Sequence, residues 1–171
     1  MVCYSMKVAI FLGSKSDLEA MKKAAEVLSE FGVAYKAFII SAHRAGELLA
    51  KTVSQVEQEG CEVIIAGAGL SAALPGVIAS RTVLPVVGVP LECVQPGKSN
   101  GLAGMDALLS IVQMPPQVPV ATVGIGNARN AAYLALEILS IKYSELKAKL
   151  VSFRERMKAE AESGGALGIE L

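Results

Sequence analysis

Aromatic residues and histidine are scarce in this sequence. Its 171 residues include no tryptophan, one histidine and only 5% aromatic residues. Because few aromatic side chains are available to stack on bases or sugars, the composition argues against a nucleobase platform or an aromatic carbohydrate site. Charge of one sign is also missing, since sixteen basic residues balance sixteen acidic ones. Binding to a phosphate backbone needs a basic excess, so we predict no nucleic acid partner.

Metal-binding and disulfide patterns are missing as well. Cys3, Cys61 and Cys93 are odd in number, far apart and never spaced as C-x-x-C. Together with a single histidine they form no usual zinc ligand set, so we expect no metal. Unpaired cysteines favour a reducing compartment. The first residues, MVCYSMKVAIFLG, lack the basic segment followed by a long apolar stretch that a signal peptide has. We therefore predict a cytoplasmic protein without a signal peptide.

Long hydrophobic runs are absent, although apolar residues are plentiful. No apolar run reaches the roughly 18 residues that a membrane span needs, so we predict no membrane partner. Hydrophobic residues nevertheless make up 53% of the sequence, and its mean hydropathy of +0.49 is high for a soluble monomer. We expect the excess to be buried between copies of the chain, in a homo-oligomer. The C-terminal helix is expected to pack on a neighbouring subunit through Leu146, Leu150, Val151 and Phe153.

Apolar, β-branched runs alternate with helical patterns along the chain. This alternation predicts an α/β protein with a parallel sheet of about five strands and helices on both faces. Continuous apolar strands are typical of such a sheet, and right-handed crossovers favour a flavodoxin-like strand order. We predict a single three-layer αβα domain over 1–171, with its core at 7–142, a C-terminal helix at 143–162 and a frayed tail at 163–171. The predicted strands are 7–12, 33–40, 63–66, 84–89 and 118–125, and the predicted helices are 16–31, 46–59, 72–80, 103–112, 127–139 and 144–162.

Ligands of open α/β sheets bind beyond the carboxyl ends of the strands, so the loops at that edge are candidate sites. In the first of these loops, Gly13 allows a tight turn. Ser16 and Glu19 have capping-box spacing, which predicts a helix N-terminus whose free N–H groups suit a phosphate. Ser14 offers a hydroxyl group, and Asp17 offers a carboxylate suited to sugar hydroxyls. A well-capped turn without a ligand explains the same residues, and P-loop spacing is absent.

The only histidine, His43, follows the second predicted strand. A neighbouring helix N-terminus favours the neutral imidazole, which can accept a proton at pH 7. Arg44, beside it, can bind a phosphate or a carboxylate through two N–H groups. This position at the ligand-binding edge favours a catalytic role for His43, and the alternative is a structural or solvated histidine.

The third and fourth loops are rich in glycine. Loop 67–76 contains G-x-G-x-x-A, with Glu92 at the distance of a dinucleotide fingerprint's acidic residue. A true fingerprint follows the first strand, and Pro75 falls inside the helix that the motif would open, so we predict instead a glycine-rich wall for a planar ligand. Loop 91–104 is long and polar, and is explained either as a lid or as a surface excursion. Cys93, in this loop, has no dedicated base beside it, which argues against a role for its thiol as a nucleophile.

Several motifs occur together in the order typical of one enzyme family. They are Gly-Ser-Lys-Ser-Asp at 13–17, Ser-Ala-His-Arg at 41–44, Ala-Gly-Ala-Gly at 66–69, Leu-Pro-Gly at 74–76, Ser-Ile-Val-Gln-Met-Pro at 110–115 and Asn-Ala-Ala at 130–132. Over roughly 7–158, the chain resembles the 5-(carboxyamino)imidazole ribonucleotide mutase family of purine biosynthesis. The resemblance implies a three-layer α/β fold, a homo-octamer with active sites at subunit junctions, and a phosphorylated aminoimidazole ribonucleoside as substrate.

The same resemblance implies a role for individual residues. His43 corresponds to the general acid/base. Ser14 and Arg44 correspond to phosphate ligands, and Asp17 to the ribose ligand. The loop 66–69 and the segment 110–115 would line the imidazole pocket. The implied reaction moves the carboxyl group from the exocyclic nitrogen to ring carbon 4 through trapped carbon dioxide, without a metal or organic cofactor. The substrate-binding residues implied are Ser14, Ser16, Asp17, Ser41, Arg44, Ala68, Gly69 and Ser71.

The sequence departs from the usual mutase pattern in places. Ala73 stands where that pattern has histidine, Ala45-Gly46 stands where it has Thr-Pro, and loop 91–104 is longer than usual. The related carboxylase branch, which uses carbon dioxide directly, also lacks that histidine and has a Ser-x-Ala-Leu pattern like that at 71–74. However, that branch has lysine where this chain has Arg44. The mutase is therefore the main prediction, and the carboxylase is the first alternative.

A further alternative belongs to another functional class. A non-catalytic nucleotide-binding module on the same fold would need no acid/base, so His43 would be dispensable. A phospho-acceptor receiver domain is disfavoured, because the first strand ends in Gly13-Ser14 rather than in an acidic pair.

Overall fold

The computed structural model describes residues 6–93 and 101–163. Residues 1–5 lie outside the described part. They include Cys3 and the start of the N-terminal segment from which we predict that there is no signal peptide. The middle of the predicted lid at 91–104 and the predicted tail at 163–171, apart from Ser163, lie outside it as well.

Five parallel strands form one sheet in the order β2-β1-β3-β4-β5. This is the flavodoxin-like order, so the predicted fold class is confirmed. The three central strands consist of small and apolar residues that are buried along nearly their whole length, as expected for strands covered on both faces. The strands are β1 (Val8–Leu12), β2 (Tyr35–Ile39), β3 (Val63–Gly69), β4 (Val86–Leu91) and β5 (Ala121–Thr122).

In the described residues, six α-helices cover the sheet in two layers. They are α1 (Leu18–Glu30), α2 (Gly46–Gln58), α3 (Leu74–Ala79), α4 (Met105–Val112), α5 (Ala128–Ser140) and α6 (Ser144–Ser163). Successive strand side chains point to opposite faces, so Ile10 packs with α1, α5 and the start of α6, while Phe11 packs with α2, α3 and α4. Among the described residues, no helix combines the length and the apolar character that crossing a membrane requires.

The two edge strands differ from the sequence prediction. The sequence predicts β5 over 118–125, but only Ala121 and Thr122 pair with β4. Pro119 has no N–H to donate to a ladder, which limits pairing at this end of the edge strand. The sequence also predicts that β2 is covered on both faces, yet Lys36 and Ile39 are exposed in the protomer. The prediction of continuous burial is therefore wrong for β2, because an edge strand has fewer helices packed against it.

The first half of α6 packs on its own protomer. Leu146 and Leu150 are buried in the core shared with α1 and α5. Phe153 contacts the rings of Phe31 and Tyr133, with centroid distances of 5.5 and 5.2 Å. From Arg154 to Ser163 the helix is exposed. Three of the four apolar positions predicted to face a neighbour are thus already covered, at least in part, within the protomer.

The packing of α4 on the sheet makes a direct prediction. A Cβ atom at Gly88 of β4 would lie 2.5 Å from Ile111 Cγ2 and 2.8 Å from Val120 Cγ1. Gly88→Ala should therefore reduce the free energy of unfolding, measured by urea denaturation, by about 1–3 kcal/mol through overpacking. Gly46→Ala is the matched control, because a Cβ there meets no atom within 4 Å. Equal stability of the two variants would contradict this close packing around Gly88.

Candidate active site

A cleft of about 220 Å³ opens at the carboxyl ends of β1, β2, β3 and β4. It lies where the chain, after placing β2 on one side of β1, continues with β3 on the other side. Crevices at this reversal of strand order are the usual ligand sites of open α/β sheets, and we call this one the switch-point cleft. Its lining residues are Gly13, Ser14, Ser16, Asp17, Ser41, Ala42, His43, Ala68, Gly69, Leu70, Ser71, Ala73, Leu74 and Cys93.

The first wall of the switch-point cleft is a 3-10 turn that precedes α1. Ser14 Oγ accepts a hydrogen bond from the Ser16 N–H at 3.4 Å, and Asp17 Oδ2 accepts one from the Ser14 N–H at 2.9 Å. The capping box is thus Ser14 with Asp17, and the prediction that it is Ser16 with Glu19 is wrong. The physical reason is the extra 3-10 turn at Lys15–Asp17, which moves the cap back by two residues.

This capping also changes how the turn can bind an anion. The Gly13 N–H donates to Gly67 O at 3.2 Å, and the Asp17 N–H donates to Ser14 O at 3.2 Å. The N–H groups of Gly13, Ser14, Ser16 and Asp17 are therefore already hydrogen-bonded, contrary to the expectation of free donors. Because the Ser16 hydroxyl donates to Asp17 Oδ1 at 3.2 Å, an anion at this turn must rely mainly on the Ser14 hydroxyl and on nearby cations.

Asp17 is a half-buried carboxylate in this wall. Burial raises its pKa, and hydrogen bonds from the Ser14 N–H, the Ser16 hydroxyl and the Gly13 N–H only partly oppose that effect. The charged form is thus held in the cleft at a cost to the free energy of folding. A carboxylate kept in a costly position beside a cleft is a candidate ligand-binding group.

The second wall comes from the turn between β2 and α2. The N–H groups of Arg44 and Ala45 donate to Ser41 O at 3.3 and 2.9 Å, which fixes the turn and leaves the His43 side chain exposed at the cleft. Arg44 does not itself line the switch-point cleft. Its Nε donates to Ser41 Oγ at 3.3 Å, so Ser41 joins the guanidinium to the lining.

The third wall is the loop from β3 to α3, with no charged side chain. Ala68, Gly69 and Ser71 line the cleft as predicted. A Cβ at Gly69 would lie 3.0 Å from Leu91 O, so glycine allows the close strand contact at this point. Gly67 is predicted in the same wall but serves another purpose, because a Cβ there would lie 2.3 Å from Met21 Sδ of α1.

The structure also adds residues that the sequence does not assign to the site. Leu70 and Leu74 line the cleft from the third wall, and Cys93 lines it from the end of β4. The rule that ligands bind at strand ends could have identified Cys93 as a lining residue, apart from any role as a nucleophile. The segment 110–115 is not part of the cleft lining in the protomer. Its residue Met114 lies instead against α3, where a Cβ atom at Gly76 would be 3.0 Å from the Met114 Sδ atom.

The side chains that line the switch-point cleft can carry out acid/base chemistry. The part of the chain that the structure describes contains no group of three His, Cys, Asp or Glu side chains that could hold a metal ion. His43 can donate and accept a proton, Asp17 can accept hydrogen bonds from hydroxyl groups, and Ser14 and Ser16 can bind an anion. Arg44 supplies positive charge at the rim through its contact with Ser41.

Sequence comparison identifies relatives along most of the chain. The family model described as AIR carboxylase matches residues 7–160. The N5-carboxyaminoimidazole ribonucleotide mutase of Pyrococcus abyssi is 59% identical over 152 residues, which cover 89% of this chain and 84% of that protein. The protein of the same name from Thermotoga maritima is 53% identical over 154 residues, covering 90% and 86%.

Structure comparison gives a consistent result. The crystal structure of Treponema denticola PurE aligns with a TM-score of 0.73 at 28% identity, covering 94% of this chain and 98% of that one. A PurE2 variant of the same organism aligns with a TM-score of 0.75 at 27% identity and the same coverage.

The cost of charging Asp17 yields a prediction with a defined sign. Because its folded pKa is raised above the ordinary value of 3.8, protonated Asp17 stabilises the fold below that pH, and this stability is lost as pH rises through the folded pKa. Asp17→Asn keeps an acceptor for the Ser14 N–H and removes the charge. The variant should be at least as stable as the parent at pH 7, with the difference shrinking towards pH 4.

Unfolding free energies measured across this pH range test the expectation. Glu19→Gln, which removes an exposed acid in the first turn of α1, controls for the loss of negative charge near the helix N-terminus. If Asp17→Asn were less stable than Glu19→Gln at pH 7, the charge of Asp17 would be stabilising and the upward direction of its pKa shift would be wrong.

Proposed function

This chain belongs to the AIR carboxylase family, and we propose that it is an N5-carboxyaminoimidazole ribonucleotide mutase of purine biosynthesis. The observation that carries the proposal is His43, the one histidine of the sequence, exposed at the switch-point cleft opposite a wall without charge. The curated relatives, at 48–59% identity, bear the name of this mutase. The substrate is a phosphorylated aminoimidazole ribonucleoside carrying a carbamate on its exocyclic nitrogen.

The proposed reaction is an isomerisation in which protons and electrons balance. The bond between the carbamate carbon and the exocyclic nitrogen breaks, its electron pair stays on nitrogen, and that nitrogen takes a proton from the His43 imidazolium. Ring carbon 4 then uses a ring electron pair to attack the trapped carbon dioxide. Neutral His43 removes the proton from ring carbon 4, which restores both the aromatic ring and the imidazolium. One imidazole thus serves as acid and then as base.

Substrate binding follows from the other two walls. Ser14 provides a hydroxyl donor for the phosphate, and the Ser16 hydroxyl provides a second when it turns from Asp17 Oδ1, to which it donates at 3.2 Å. Arg44, held by Ser41, provides the positive charge. Asp17 accepts hydrogen bonds from the ribose hydroxyls with the lone pairs that its own turn leaves free. Ala68 and Gly69 allow the planar imidazole ring to approach the backbone of β3.

Replacement of the general acid/base tests the mechanism. His43→Asn should lower kcat at least ~100-fold, the usual scale of general acid/base catalysis, because the sequence contains no second histidine. Binding of aminoimidazole ribonucleotide, measured by calorimetry, should stay within a few-fold of the parent. Retention of more than about a tenth of the activity would remove His43 from this role. A parent protein that binds the ribonucleotide but has no activity would favour the non-catalytic nucleotide-binding module.

The carboxylase alternative has a specific residue in its favour. Ala73 puts a methyl group into the cleft lining, where no hydrogen bond to a carboxyl group is possible. A carboxylase would convert aminoimidazole ribonucleotide with free carbon dioxide and leave the carbamate unused. Supplying each substrate separately to the purified protein distinguishes the two activities, and the mutase is expected to consume the carbamate.

We further propose that the chain assembles as a homo-oligomer, an octamer by its resemblance to the family, and that it works in the cytoplasm. Four exposed apolar side chains, three on α4 and one three residues before its start, form a row that we call the α4 stripe. It consists of Leu102 (67% exposed), Met105 (46%), Leu109 (48%) and Val112 (50%). Such a row on one helix face is typical of a subunit interface. The thiols of Cys61 and Cys93 are free, which fits a reducing compartment.

Charge in the α4 stripe tests the assembly. Leu109→Lys should lower the mass measured by light scattering at micromolar concentration, because an unpaired ammonium group cannot be buried in an apolar interface. Ser29→Lys adds the same charge at an exposed position of α1, in the opposite helical layer, and should keep the parent mass. A monomeric parent protein, or a Leu109→Lys variant of parent mass, would contradict the proposed interface.

A further inference from the structure

The uncharged wall of the switch-point cleft contains hydrogen-bond donors without assigned partners. We call it the neutral wall; it consists of Ala68, Gly69, Leu70, Ser71, Ala73 and Leu74. Ser71 is exposed to the cleft and carries its only side-chain hydroxyl. Among the residues that the structure describes, the Ser71 hydroxyl makes no hydrogen bond, whereas the hydroxyls of Ser14 and Ser41 already accept one.

The backbone at Leu70 has an unusual conformation for leucine. Its φ angle of 54° is in the left-handed region, which is rare for a residue with a side chain. The carbonyl oxygens of Leu70 and Ser71 accept hydrogen bonds from the Ala72 and Ala73 N–H groups at 2.8 and 2.6 Å. The N–H groups of Leu70 and Ser71 themselves have no backbone acceptor within the described ranges. The loop therefore uses its acceptors internally and leaves donors available.

We propose that Ser71 Oγ–H, with the N–H groups of Leu70 and Ser71, holds the carboxyl group while it migrates. This inference rests on the proposed mutase function and assigns the part of the site that binds the carbamate, the carbon dioxide and the new carboxylate in turn. Ser71 forms no covalent bond. When the bond to the carbamate carbon breaks, its electron pair stays on nitrogen. Ser71 then holds the released carbon dioxide in place until ring carbon 4 supplies the electron pair for the new bond.

The charges of the cleft support this assignment. The substrate has a phosphate at one end and a carboxylate at the other, and Arg44, the positive charge joined to the lining, lies at the rim beside Ser41. Asp17 would repel a carboxylate in the first wall. The neutral wall has no such repulsion, and its donors carry no charge. Neutral donors bind the carbamate less tightly than a cation would, and they still contact uncharged carbon dioxide, so the ground state is not over-stabilised relative to the transition state.

The experiment compares Ser71→Ala with the parent protein on a carbamate substrate carrying a carbon-13 label in its carboxyl group. Loss of one hydrogen bond to a charged group should lower kcat/KM for isomerisation about 10- to 100-fold. Labelled carbon dioxide released to solution per turnover should rise, because the trapped molecule escapes before recapture. Binding of aminoimidazole ribonucleotide, which has no carboxyl group, should stay within about twofold.

Three further variants make the test specific. Ser80→Ala removes the hydroxyl that donates to Val77 O at the end of α3 and should change neither rate nor leakage. Ser71→Thr retains the hydroxyl and should restore most of the activity. In the Ser71→Ala background, Ala73→His adds a donor to the same wall and should reduce the leakage again.

The outcomes separate this inference from the proposed function. Parent-like kcat/KM and leakage in Ser71→Ala would overturn the role of Ser71 while the mutase activity stands. If binding of aminoimidazole ribonucleotide fell by the same factor as kcat/KM, the role of Ser71 would also be overturned, because the effect would not be specific to the carboxyl group. If the parent protein uses free carbon dioxide instead of the carbamate, the proposed function fails. Ser71→Ala must then raise KM for carbon dioxide, and an unchanged KM overturns the inference.

Discussion

The pairing of β1 with both β2 and β3 determines where the functional loops of this protein lie. Leu12, the last residue of β1, is in register with Ile39 of β2 and with Gly67 of β3. All three strands are parallel, so their following loops leave the sheet at the same edge. The loop after β1 leads to α1 in one helical layer, whereas the loops after β2 and β3 lead to α2 and α3 in the other layer. The crevice between them brings together His43, Asp17 and Ser71, which are far apart in sequence.

Within that crevice, the distribution of charge explains how one site can break and remake a bond to carbon dioxide. Among the described lining residues, Asp17 is the one carboxylate, and burial raises its pKa, so it occupies its place at a cost to stability. Arg44 remains at the rim, joined to the lining through Ser41, and we propose that it meets the phosphate rather than the reacting group. The wall that faces the ring is neutral. In the proposed mechanism, this weakly polar pocket retains carbon dioxide by excluding water, while His43 carries the proton that the reaction needs.

The central part of the fold was predictable from the sequence because its strands are continuous apolar runs, and the crossover rule leaves few topologies. The edges were not, because pairing there depends on local features such as Pro119. The cap before α1 shows a second limit. The spacing of Ser14 with Asp17 and that of Ser16 with Glu19 both fit a capping box, and only the backbone of the 3-10 turn selects the first.

The site was predictable to a similar extent. Strand ends identify the loops, so His43, Asp17 and Ser71 lie in the cleft as expected. The left-handed conformation of Leu70 could not be predicted, since leucine rarely adopts it. The purpose of Gly67 could not be predicted either, because a glycine beside a ligand loop and a glycine beneath a helix side chain look the same in a sequence.

The most direct test of the mechanism follows the carboxyl carbon itself. The parent protein is incubated with the carbamate labelled with carbon-13 in its carboxyl group, in a buffer containing unlabelled bicarbonate and carbonic anhydrase. A mutase that traps carbon dioxide at the neutral wall transfers the label to ring carbon 4, and the product is predicted to carry it almost completely. A product carrying the unlabelled carbon of the buffer would show that free carbon dioxide is the donor and would contradict the trapping mechanism.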